Sequence, residues 1–178
     1  MATDDTRSAD LRIPDGASDF AAVVEAHWSS VYRLLYSLTG NTHDAEELTQ
    51  ETFLRALRRR DSFRPGTNLR SWLLRIATNA GLDMLRKQKR ARRRDLPDEM
   101  PDRAEWPGHR LEVAEQGVLI RAAMEELSET TRAVFHLRVQ ESLPFREIAE
   151  LVHTTEQAAR WHMHQARRKL MKHLPRPD

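Results

Sequence analysis

With 178 residues, 39% of them hydrophobic and 31% charged, the chain has length for one or two small domains and apolar content for thin cores only. No apolar run approaches the roughly 18 residues of a membrane-spanning helix, and the first 20 residues lack the basic-then-apolar order of a secretory signal, so the expectation is a cytoplasmic protein without membrane insertion. The absence of cysteine excludes disulfides and thiolate metal sites, while the mild net charge of +2 hides a strong asymmetry: residues 86–94 (RKQKRARRR) hold seven basic side chains in nine, and residues 95–117 hold seven acidic and two basic ones.

Residues 1–17 are polar, contain Pro14 and Gly16, and read as a flexible N-terminal tail. Ser18 offers an N-cap to a first helix in which Phe20, Val24, Trp28, Val31, Leu35 and Leu38 recur at three- and four-residue spacing until Gly40. Thr42 is the expected cap of a second helix running to Arg60. Its segment DAEELTQETFLRAL puts Ala45, Leu48, Phe53, Ala56 and Leu57 on one arc and Glu47, Gln50, Glu51 and Leu54 on the other, so a leucine sits among carboxylates on the wet side. After the turn-like DSFRPGTN, a third helix starts near Leu69. One side carries Leu69, Trp72, Leu73, Ile76, Ala77, Ala80 and Met84; the other is a stripe of Ser71, Arg75, Thr78, Asn79, Leu82 and Arg86 leading into the basic run. That stripe fits a nucleic-acid track or a plain solvated face. Trp72, at the border of the two arcs, fits a core position or a stacking platform for an unpaired base.

The segment DLPDEMPDRAEWPGH, with Pro97, Pro101, Pro107 and Gly108, has no period and reads as a linker. Helices resume from about Glu112, with Ser128 and Thr155 as N-caps and Pro144 at a first-turn position. Phe145, Ile148, Ala149 and Val152 give a short helix one apolar face, VHTT makes a tight turn, and Ala159, Met163, Ala166 and Leu170 give the next helix a narrow seam. This is helix-turn-helix spacing. Opposite the seam lie Gln157, Trp161, Gln165, Arg168 and Lys172, flanked by Arg160 and His164, side chains able to reach base edges and phosphates in a major groove. The same face also fits a solvated basic helix in a small bundle. No strand-like alternation occurs, and the fold class is all-α, with two helical blocks.

Residues 44–57 followed by DSFRPGTNLRSWLLRIATNAGLDMLRKQKR closely resemble region 2 of the extracytoplasmic-function (ECF) sigma factors, and LPFREIAELVHTTEQAARWHMHQARRKL resembles their region 4. The resemblance implies a tail over 1–17, region 2 over 18–94, a flexible linker over 95–115 and region 4 over 116–174. It further implies that Glu47, Gln50, Glu51 and Leu54 dock on core RNA polymerase. Arg64, Asn68, Trp72, Arg75, Asn79 and Arg86 would capture the minus-ten promoter element as single strand. Gln157, Arg160, Trp161, His164, Gln165 and Arg168 would read the minus-thirty-five element as duplex. Implied partners are core polymerase, promoter DNA and an anti-sigma factor.

The sequence departs from the family pattern in two ways: His153 stands where relatives usually have glycine in the turn, and Arg160, Trp161 and His162 stand where they usually show lysine, a small polar residue and arginine. An indole on the groove face predicts altered promoter preference. No cofactor, metal or enzymatic activity is expected. His162 and His164 are two apart and point to different sides, and HExxH, GxGxxG and Walker A patterns are missing. Two other classes remain: a sigma-like decoy that occupies an anti-sigma factor, and a stand-alone helix-turn-helix regulator.

Overall fold

The structure is a computed structural model that describes residues 17–64, 66–94 and 123–173. Three helices and a short 3-10 turn form the first half: α1 (Ala17–Thr39), α2 (Thr42–Arg58), the turn Arg60–Ser62, and α3 (Leu69–Arg94). Helix α1 ends where Gly40 takes φ +66° and donates its N–H to the Tyr36 carbonyl, a left-handed stop that glycine adopts without a Cβ clash. The cap of α2 is Asn41 rather than the expected Thr42. The extended backbone of Asn41 lets its side-chain oxygen accept from Asp44 N at 3.0 Å, leaving Thr42 as the first helical residue. Ser18 lies inside α1 rather than before it, and α2 stops at Arg58 rather than Arg60. The expected tail, apart from Ala17, and the expected linker lie outside the described residues.

The inner face of α2 contains Ala45, Leu48, Phe53 and Ala56 as expected, and also Thr49 and Thr52, both wholly buried. These hydroxyls are tolerated because each donates to the carbonyl four residues back, at 2.6 and 2.7 Å. Phe53 stacks on Trp28 of α1, centroids 5.9 Å apart and planes nearly parallel. Leu57, placed on the inner arc by periodicity, is 39% exposed. On α3 the stripe expected to be wet is only partly so: Thr78 and Leu82 are buried. The reason is tertiary, since α3 packs on α1 and α2 with one side and meets the second half of the chain with the other.

That second half comprises a turn of helix over residues 123–125, then α4 (Glu129–Val139), α5 (Phe145–Leu151) and α6 (Glu156–His173). Ser128 caps α4 by accepting from Thr131 N at 3.3 Å, and Thr155 caps α6 by accepting from Ala158 N at 3.1 Å. Pro144 immediately precedes α5 in an extended conformation. The seam residues Ile148, Ala149, Val152, Ala159, Met163, Ala166 and Leu170 are all buried, and Thr154 N reaches Ala149 O across the tight turn. Helices α4 and α5 both pack on α6, and among the described residues no strand is present.

The two halves meet along α1 and α4, and their apolar side chains form one continuous core. Inside this seam lies a carboxylate. Glu141, 3% exposed, accepts from Ser30 Oγ of α1 at 2.7 Å, pairs with Arg70 of α3, and has His136 Nε2 at 3.7 Å. Arg132 of α4 adds a hydrogen bond of 2.8 Å to the Leu38 carbonyl of α1.

Two consequences are testable. Burial alone would raise the Glu141 carboxyl, but the neighbouring His136 imidazole, the Ser30 hydroxyl bond and the charge of Arg70 outweigh it and hold it below its ordinary 4.5. A lowered carboxyl contributes stability that is complete above its unfolded value and disappears as pH falls through the folded one. Glu141→Gln is therefore expected to cost about 1–3 kcal/mol at neutral pH and to flatten the loss of stability below pH 4.5 in urea titrations. Gly81 presents the second case: a Cβ there would sit 2.9 Å from Leu38 Cδ1 and 3.2 Å from Leu35 Cδ2, both wholly buried. The ~1 kcal/mol gain in helix propensity then competes with ~1–3 kcal/mol of overpacking. Gly81→Ala is expected to lower the urea midpoint, and a raised midpoint would contradict this packing.

Candidate nucleic-acid interface

Three surfaces carry the side chains singled out by sequence. The first is the outer face of α2. Glu47, Gln50 and Glu51 are exposed, and Leu54, 53% exposed, projects among them. Neighbouring bases on the same helix hold the carboxylates in place: His43 lies 3.5 Å from Glu47, and Arg55 bonds Glu51 at 2.6 Å. These pairs are water-exposed and weak, so a partner's cations can replace them at small cost. The same face continues as a groove along α3, where Asp83, Met84 and Lys87 form the far wall.

The second surface is the loop before α3 and that helix's outer stripe. Phe63 packs edge-on against Trp72 with centroids 5.5 Å apart, pinning the loop to the helix. Gly66 turns the loop with φ +82°, and Asn68 caps α3 by accepting from Ser71 N at 3.2 Å. Arg64, Asn68, Trp72 and Arg75 then share the wall of one open cleft of about 850 Å³. Ser71 lines it too, its hydroxyl buried and unpartnered. Trp72 is half-buried, so one part of the indole completes the core and another lines the cleft. Asn79 is not in this cleft; it borders a smaller recess of about 130 Å³ with Trp72, Arg75 and Arg59. Arg86 stands apart, seven residues and ~10 Å beyond Asn79 along α3, bonded to Asp83 at 3.1 Å.

Sequence reasoning missed what faces this surface. Arg146, Glu147 and Glu150 of α5 form the opposite wall of the larger cleft. Glu150 approaches Arg75 at 3.4 Å, and His153 Nε2 meets Asn79 Oδ1 at 2.8 Å. No periodicity within one helix signals such pairs, because each joins residues more than 70 positions apart.

The third surface is α6. Gln157, Arg160, Trp161, His164 and Arg168 are exposed and Gln165 is half-exposed. Arg160 is held rather than free: it bonds Glu156 one turn back, and its guanidinium lies 4.7 Å from the centre of the Phe145 ring. Arg168 donates to Gln165 Oε1 at 2.7 Å. Trp161 is 55% exposed, its ring edge-on to His162. His162 itself turns inward, its Nδ1 2.8 Å from the Thr131 hydroxyl, and burial lowers its pKa, so at neutral pH it adds no charge to the outer face. Among the described residues no cluster suited to a metal ion occurs, and none of the described helices is long and apolar enough to cross a membrane.

The chain matches the family model Sigma-70 region 2 over residues 23–91 and Sigma-70, region 4 over residues 117–170. It is 37% identical over 169 residues to the ECF RNA polymerase sigma factor SigE of Mycolicibacterium smegmatis, covering 90% of this chain and 65% of SigE. To the ECF RNA polymerase sigma factor SigW of Bacillus subtilis it is 32% identical over 173 residues, covering 87% of this chain and 88% of SigW. The fold resembles that of the sigma factor RpoE from Bartonella quintana, solved with the anti-sigma factor NepR, at a TM-score of 0.68 and 21% identity over 88% of this chain and 97% of that one.

Because Trp161 is 55% exposed and its aromatic pair is with a neighbour on the same helix, Trp161→Ala is expected to leave the unfolding free energy within about 0.5 kcal/mol. It should nevertheless change the protection pattern on duplex DNA. An unchanged footprint would remove Trp161 from this interface.

Proposed function

The chain belongs to the ECF family of RNA polymerase sigma factors, and from that membership we propose that it binds core RNA polymerase and directs promoter-specific initiation from the cytoplasm. In this reading residues 18–94 act as region 2 and residues 116–174 as region 4. The supporting observation is that one small bundle carries two distinct surfaces: an acidic face with an exposed leucine on α2, and a cleft at the start of α3 whose near wall is cationic and partly aromatic. The first suits a partner offering arginines around an apolar patch. The second suits unpaired bases and their phosphates.

Arg64 and Arg75 meet phosphates, Asn68 and Asn79 bond base edges, the exposed part of Trp72 stacks, and Arg86 tracks the strand further along α3. Energies explain the division of labour with polymerase. Opening duplex DNA costs about 1.4 kcal/mol per base-pair step, and one base stacked on an aromatic side chain returns roughly 1–3 kcal/mol. One tryptophan and a few arginines therefore hold one or two flipped bases, and the rest of the bubble requires the core enzyme. Helix α6 reads the minus-thirty-five element, with Arg160, Trp161 and Gln165 toward bases and Arg168 toward phosphate, while Gln157 and His164 flank them. The protein works by binding, with no catalytic step of its own. An anti-sigma factor is its inhibitory partner, the class of protein bound by the Bartonella quintana relative. A stand-alone regulator would leave the acidic α2 face without a role.

Purified chain plus core enzyme is expected to give promoter-dependent transcripts from a genomic library. Absence of any such transcript would refute the assignment. Glu47→Lys combined with Glu51→Lys should weaken association with core by at least tenfold, read by competition with a second sigma factor, while leaving the melting curve nearly unchanged.

A further inference from the structure

Phe145 opens α5 and packs against the core, yet it is only partly buried. Its ring meets two cations from two other helices: the Arg138 guanidinium of α4 lies 4.9 Å from the ring centre, and that of Arg160, on α6, lies 4.7 Å from it. Both are within cation–π range. Neither arginine is otherwise loose. Arg138 donates to the Leu143 carbonyl at 2.8 Å, in the loop just before α5, and Arg160 pairs with Glu156 one turn back on α6. One aromatic ring therefore ties together the end of α4, the start of α5 and the first turns of α6.

The two holds on Arg160 differ in what they leave free. Glu156 takes a guanidinium nitrogen and offsets its charge, so a base edge or a phosphate has to displace it; the pair is exposed and weak. An aromatic face attracts the cation through its quadrupole and consumes no N–H. Contact with Phe145 can thus persist while the donor fork of Arg160 turns to the two acceptors of a guanine. Arg138, bonded to the loop carbonyl, fastens the same ring to α4.

We propose that Phe145 is a positioning residue for duplex recognition: its ring, shared with Arg138, sets the direction in which Arg160 enters the major groove, and so the base-pair preference where Arg160 reads. The inference rests on the minus-thirty-five reading of α6. Ordering a long side chain before the encounter spares its rotamer entropy, which for one arginine corresponds to roughly two- to tenfold in binding. A bidentate contact needs both donors in register. A loosened guanidinium therefore loses the right base preferentially, while its charge still attracts phosphate.

The test uses the full chain assembled with core polymerase and one promoter recovered from the genomic library, its minus-thirty-five positions randomised and its transcripts sequenced to give a preference at each position. Arg160→Ala marks the position that Arg160 reads. Phe145→Leu keeps apolar bulk and removes the aromatic face, Phe145→Tyr keeps that face, and Arg138→Ala, an exposed change expected to fold normally, unfastens the ring from α4. Phe145→Leu is expected to lower the preference at the marked position by roughly two- to tenfold, to leave the other positions and the salt dependence of binding unchanged, and to add nothing in the Arg160→Ala background. Phe145→Tyr should restore the preference, and Arg138→Ala should lower it at the same position by a smaller factor. A preference untouched by Phe145→Leu, a loss spread evenly over all positions, or no recovery in Phe145→Tyr overturns the inference, since the ring then only packs. So does an Arg160→Ala profile identical to that of the unmodified chain. Should Phe145→Leu fail to fold, an unchanged preference in Arg138→Ala overturns it equally. All these outcomes still contain promoter-dependent transcripts; their complete absence is what refutes the sigma-factor reading.

Discussion

Two helical bundles this thin cannot each seal an apolar core, and the seam where α1 meets α4 resolves the shortage by letting them share one. The seam is not uniformly oily. It encloses the Glu141 carboxylate, and a buried charge is tolerable only if its lone pairs are met. Ser30 and Arg70 meet Oε2 from one half, while the chain segment that carries Glu141 belongs to the other and leaves Oε1 3.7 Å from the His136 ring, without a hydrogen bond. A well-packed apolar seam allows some sliding. A carboxylate that must find one hydroxyl and one guanidinium specifies a register, and through it the position of α5 over the α3 stripe.

From that register follows the difference between the two surfaces proposed to meet DNA. The recognition face of α6 is open to solvent, with Arg160 preorganised by Phe145 and Glu156. The α3 surface is partly covered, with Arg75 and Asn79 engaged by α5 and the turn after it. His153 makes this cover possible at a cost, since the turn holds it in the left-handed region where glycine sits without strain. The histidine in this turn thus has a structural correlate: only a residue with a side chain can reach Asn79.

Much of the candidate site was legible because its residues lie on single helices. Leu54 among carboxylates is a one-helix pattern, and its exposure follows from the same 3.6-residue period that buries Leu48 and Phe53. The seam of α5 and α6 was legible for the same reason. Where the pattern misled, a second surface was involved. Thr78 and Leu82 fall on the polar stripe by period alone, yet α3 has neighbours on both sides. Thr49 and Thr52 read as polar, yet a threonine hydroxyl can satisfy itself on its own helix and be buried. Capping was legible at Ser128 and Thr155 and misassigned at Asn41, because two adjacent polar residues both qualify and backbone dihedrals choose between them.

The sequence by itself determined the helices, their apolar faces, the helix-turn-helix spacing and the membership of the family, since each depends on residues a few positions apart and on local hydrogen bonding. The tertiary structure alone decided that Glu141 is buried, that Arg146 and Glu150 face Arg75 across a cleft, and that His153 holds Asn79. The bonds among them join residues 74 to 111 positions apart. Such pairings arise only when two independently patterned bundles choose how to cover each other, a choice set by shape and by the need to satisfy one buried charge.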